Sequence, residues 1–89
     1  MIRYTIDYSP RAEKELRKIR DVRAAKALRA AIAGLQVDPR PVGVKKLAGP
    51  SDKWRVRVGD WRVIYVIEDR WLVVLVVAVG LRGEVYGRM

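Results

Sequence analysis

Residues 71–81, WLVVLVVAVGL, form the longest apolar run in the chain and constrain its fold more than any other segment. Eleven residues fall short of the roughly 20 a helix needs to cross a bilayer. The run is dominated by valine, whose branched Cβ is stiff in a helix and packs well on a pleated surface. It therefore predicts a strand buried inside a sheet, and the rest of the chain must supply that strand with neighbours and a covering layer.

The neighbours lie just upstream. Residues 54–58, WRVRV, alternate in polarity, Gly59-Asp60 is a two-residue hairpin signal, and residues 61–68, WRVIYVIE, form the returning strand. Gly80 breaks the buried run, and residues 84–88 have the pattern of a short last strand. At the other end, residues 3–8, RYTIDY, read as a first strand.

The covering layer comes next. Ser9-Pro10 is an N-cap followed by proline at the first helical position, and the helix it opens places Ala12, Leu16 and Ile19 on one side. Asp21 caps a second helix with Val22, Ala25, Leu28, Ile32 and Leu35 three or four apart, closed by Gly34 and Asp38-Pro39-Arg40-Pro41. Residues 40–52 read as a loop. The sum is an α+β fold over one domain, residues 1–89: an N-terminal strand, a two-helix hairpin, then an antiparallel meander sheet with the helices packed on one face.

Charge narrows the function. The chain carries 19 Lys and Arg against 10 Asp and Glu, a formal +9, with 10 basic and 5 acidic residues before Lys45 and 9 and 5 from there on. Basicity is thus general, which points to a polyanionic partner. Cysteine and histidine are both absent, so thiol chemistry, the usual general base and the commonest zinc ligand are excluded; no metal or other cofactor is expected. The start MIRYTIDYSP has no apolar stretch of the secretory kind, and the expected location is the cytoplasm, with no membrane partner.

The most specific chemistry is in the hairpin. A tight turn at Gly59-Asp60 pairs Val58 with Trp61, Arg57 with Arg62 and Arg55 with Ile64, so Arg55, Arg57 and Arg62 share one face. Like charges set opposite one another destabilise a sheet, and forked guanidiniums suit bidentate contact with phosphate. Dispersal by acidic neighbours or by snorkelling of the long side chains is the competing explanation. Arg82 follows the buried strand and can turn back over that face. Tyr86 is a candidate for stacking on a base or an ordinary edge-strand aromatic. Lys45 and Lys46 are further candidates for phosphate contact, against the default of a solvated loop. Trp54, Trp61 and Trp71 are expected in the core.

Together, the opening YTIDYSPRAEKELRKI, the loop KKLAG, the hairpin WRVRVGDWRVIYVI and the end VAVGLRGEVYGRM resemble the RelE family of toxins over nearly the whole chain. The resemblance implies the toxin of a type II toxin–antitoxin system, held by an acidic, RelB-like antitoxin. It further implies a metal-independent, ribosome-dependent endoribonuclease that cleaves mRNA by 2′-hydroxyl attack, leaving a 2′,3′-cyclic phosphate. The family's phosphate-binding positions match Arg55, Arg57, Arg62, Arg82 and Tyr86. In the family pattern lysines stand at the first two, the second as general base; arginine effectively cannot lose its proton. Two alternatives remain open: a ParE-like inhibitor of DNA gyrase that cuts no RNA, and a module that binds RNA or ribosome without cleavage.

Overall fold

The computed structural model describes residues 2–47, 49 and 52–81. Its elements are β1 (Thr5–Tyr8), α1 (Pro10–Arg17), α2 (Val22–Gly34), β2 (Lys45–Lys46), β3 (Lys53–Val58), β4 (Trp61–Glu68), a 3-10 turn (Asp69–Trp71) and β5 (Val73–Leu81). The five strands form one sheet in the order β1-β5-β4-β3-β2. β1 runs parallel to β5, and the other pairings are antiparallel. The valine-rich run is thus an inner strand, with β1 on one side and β4 on the other.

Both helices begin as the sequence dictates. The Ser9 side chain accepts from Ala12 N at 3.0 Å, and Asp21 Oδ1 accepts from Ala24 N at 3.1 Å, so each start has a side-chain partner for an otherwise orphaned N–H. α1 lies against β5 and α2 against β3 and β4. Ala12, Leu16, Leu28, Ile32 and Leu35 meet Val63, Tyr65, Val74, Val76 and Val79 in the core, with Trp54 and Trp61 partly buried against it. Burial pushes the Tyr65 phenol well above its ordinary pKa, and its neutral hydroxyl donates to Pro39 O at 2.8 Å. At the hairpin tip Gly59 has φ +61° while Asp60 has no positive φ, the pattern of a type II′ turn.

Four expectations are corrected. Lys45-Lys46 is a short edge strand within what read as a loop. Leu47 N donates to Lys53 O at 2.9 Å, and Leu47 packs near Ile64 and Ala78, which holds the segment to β3. Trp71 is 71% exposed rather than in the core, because β4 ends at Glu68 and the 3-10 turn lifts it clear of the sheet. Val22 is 79% exposed: it is the first residue of α2, ahead of the stripe that reaches the core. The first strand is also shorter than its pattern, starting at Thr5. The strand expected over 84–88 lies outside the described residues.

The turn that displaces Trp71 is held by a polar cluster. Arg40 Nη2 donates to Asp69 Oδ2 at 2.8 Å, Tyr4 Oη donates to Asp69 Oδ1 at 2.6 Å, and the Arg40 guanidinium lies 5.2 Å from the Trp54 ring centroid. Arg40, and secondly Tyr4, hold the Asp69 carboxyl below the usual carboxylate range. A lowered carboxyl stabilises the fold above its unfolded pKa of about 3.9, and this contribution disappears as pH falls through the lowered folded value. Asp69 should therefore titrate lower in wild type than in Arg40→Ala when followed by carboxyl NMR. Equal titration in both proteins would show that the cluster does not form in solution.

Candidate phosphate-binding face

The helices cover one face of the sheet, and the other carries the arginines. β3 and β4 pair in the register the hairpin spacing predicts: Val58 with Trp61, Arg57 with Arg62, Arg55 with Ile64. Trp54, Val56, Val58, Trp61 and Val63 point to the helix side, which sends Arg55, Arg57 and Arg62 to the opposite side. Arg57 and Arg62 sit one pair in from the turn, a position that brings facing Cα atoms to about 4.5 Å in antiparallel sheets.

β5 completes the arrangement. Gly80 pairs with Arg62, so nothing larger than hydrogen stands on β5 beside that arginine. Ala78 pairs with Ile64, leaving a small apolar floor next to Arg55.

The three arginines differ in setting. Arg57 is exposed and Arg55 half-buried. Arg62 is only 5% exposed. Its Nη1 donates to Trp61 O at 3.3 Å, and its buried Nε has no hydrogen-bond partner among the described residues. Among the described residues no carboxylate pairs with Arg57 or Arg62. A buried guanidinium without a counter-ion, opposite a second arginine, is costly unless an anion joins it. The arrangement suits a doubly charged oxyanion such as a phosphodiester approaching its transition state.

The neighbouring lysines separate. Lys45 pairs with Arg55 and so shares the arginine face. Lys46 pairs with Trp54 on the helix side, its Nζ 5.9 Å from the indole centroid. The side-by-side pair in the sequence gave no sign of this division, because a loop reading assigns no faces. Arg82 and Tyr86 lie outside the described residues. Among the described residues no group of three or more His, Cys, Asp or Glu comes together as a metal site, and no helix is long and apolar enough to cross a membrane.

A family model described as ParE toxin of type II toxin-antitoxin system, parDE, matches residues 6–86. Among solved structures, the intact E. coli RelBE toxin–antitoxin complex contains a chain 28% identical, with TM-score 0.78, covering 91% of this chain and 99% of that one. The RelBE2 complex of Mycobacterium tuberculosis gives 26% identity and TM-score 0.77, covering 91% and 100%. The archaeal RelE–RelB complex of Pyrococcus horikoshii gives 26% and 0.78, covering 94% and 99%. No curated protein matches the chain.

Proposed function

This chain belongs to the RelE/ParE superfamily of type II toxin–antitoxin toxins, and from that membership we propose that it is a ribosome-dependent endoribonuclease whose arginine-bearing sheet face binds the scissile phosphate of mRNA. The observation that carries the reading is Arg62, buried on that face beside Arg57 and opposite Gly80, with no carboxylate partner among the described residues.

The reaction is internal phosphoryl transfer. The ribose 2′-oxygen forms a bond to phosphorus as the bond to the 5′-oxygen breaks, leaving a 2′,3′-cyclic phosphate and a 5′-hydroxyl. One proton leaves the 2′-hydroxyl and one reaches the 5′-oxygen. Arg62 neutralises charge building on the phosphorane oxygens, a preorganised electrostatic effect that needs no rearrangement during reaction. Arg55 and Arg57 hold the phosphate by their forks, with Lys45 at the margin. Arg82 is assigned the 5′-oxygen, as proton donor or electrostatic equivalent, and Tyr86 stacking on a base. Arginine at 57 makes a poor general base, so the proton acceptor is assigned to the RNA or the ribosome. Bending the RNA into line is assigned to the ribosome, which presents the substrate in reactive geometry.

An acidic, RelB-like antitoxin is the matching inhibitor, its carboxylates taking the guanidinium forks in place of phosphate. The deciding experiment maps RNA 3′ ends in a translating extract. New ends carrying cyclic phosphate, dependent on the toxin and suppressed by its antitoxin, are expected; their absence would defeat the nuclease reading. The ParE description of the matching family model favours one second reading, inhibition of DNA gyrase, and a supercoiling assay with purified gyrase separates the two.

The base assignment has its own test. Arg57→Lys should maintain or raise the cleavage rate and add a pH dependence, because lysine can exchange a proton. A large loss with no new ionisation would mean that Arg57 acts through its bidentate geometry.

A further inference from the structure

β1 makes its last pair, Tyr8 with Val76, well before β5 ends. Beyond that point, among the described residues, β5 has β4 on one side and no strand on the other. The pairing also steps there, from Ile64–Ala78 to Tyr65–Val76, so Val77 is an extra residue and the strand is irregular where it approaches the arginine face. An edge of this kind leaves backbone groups in need of partners.

Residues at and just after the α1 start supply them. Ser9 N donates to Val76 O at 2.8 Å, and Ser9 Oγ donates to Val77 O at 3.1 Å. One turn and a half further on, Glu15 Oε1 accepts from Val79 N at 3.0 Å. Its other oxygen accepts from Arg11 Nε at 3.3 Å, which fixes the carboxylate's orientation. The Glu15 carboxylate thus stands where the carbonyl of a continuing β1 would be. The next residue after Val79 is Gly80, the partner of Arg62, and Arg82 follows two further along the chain.

We propose that Glu15 is a positioning residue for the phosphate site. It clamps β5 past its bulge, so that the strand end beside Arg62 keeps the alignment the reaction needs. The role in catalysis rests on the nuclease reading above; the clamp itself does not. Nothing in the sequence marks it, since a glutamate on an amphipathic helix reads as a solvated side chain.

Three variants separate reach from charge. Glu15→Gln keeps an acceptor at the same distance without charge, Glu15→Asp keeps the charge one methylene short, and Glu15→Ala removes both. In Glu15→Ala and Glu15→Asp the Val79 amide should exchange with solvent at least about 10-fold faster, while those of Val63 and Tyr65 keep their wild-type rates. Single-turnover cleavage of ribosome-bound message should fall about 10- to 100-fold with half-saturation unchanged, as expected of misalignment rather than weaker binding. Glu15→Gln should restore both readouts. The proposal is overturned if Glu15→Gln behaves like Glu15→Ala, if Val79 exchange does not change, or if Val63 and Tyr65 accelerate equally, which would make Glu15 a general stabiliser. Should wild type cut no ribosome-bound message, the nuclease reading and the catalytic role fall together, and Val79 exchange still decides whether the clamp exists.

Discussion

Arg62→Ala should lower ribosome-dependent cleavage by at least about 100-fold, the usual cost of removing one preorganised donor to transition-state charge, and should do so without loss of stability. The second half follows from the burial of this arginine. Among the described residues Arg62 makes one long bond, Nη1 to Trp61 O at 3.3 Å, its Nε has no partner, and Arg57 faces it across the pair. Removing a buried charge that has no counter-ion among the described residues relieves desolvation and like-charge repulsion, which offsets the packing lost with its stem. The urea midpoint is therefore expected to stay level or rise while the single-turnover rate collapses. Arg62→Lys should recover part of the rate, since it returns the charge without the fork. Unimpaired cleavage by Arg62→Ala would remove this residue from the mechanism. Arg82→Ala is expected to match the loss in rate.

Leu28→Ala should have the opposite signature. Leu28 is fully buried in the stripe that α2 lays against the sheet, among Ile32, Leu35, Val63 and Tyr65. Truncation there removes apolar burial and leaves a cavity, at about 2–5 kcal/mol. A domain of this size has roughly 5–15 kcal/mol in total, so the free toxin should lose a large share of its stability. Each kcal/mol is worth about 4–8 °C in Tm at this chain length, so calorimetry should show a fall of about 8–40 °C. Saturating antitoxin should recover much of it, because a partner at about 1,000 times its Kd adds about 4 kcal/mol to the folded state. Below the unfolding temperature, cleavage by the folded fraction should match wild type. A Tm within a few degrees of wild type would mean that the helix layer does not seal this core.

The two variants pull apart what the chain needs to fold from what it needs to act, and that division is partly written in the sequence. The register of β3 on β4 is set by a two-residue turn and a strict period of two. The faces of Arg55, Arg57 and Arg62 follow from residues within a dozen positions of each other. The helix starts at Ser9 and Asp21 are equally local, each a side chain reaching an amide three residues on. A strand too apolar to lie at an open edge foretold an inner position for β5. Local turn chemistry and alternation are properties of short segments, so a linear reading suffices for them.

Other features depend on which segments meet. Lys45 and Lys46 part to opposite faces only because two residues of a loop find the edge of β3. Trp71 belongs to an apolar run yet stands in solvent, because Tyr4 and Arg40, 65 and 29 positions away from Asp69, fasten the turn before it. The burial of Arg62 depends on how the rest of the structure closes around it, and the contact of Glu15 with Val79 spans 64 positions. Side-chain period assigns a residue to a face. Only the order of the strands settles which backbone groups are left without a neighbour, and which charged side chains meet that need or are buried in the sheet.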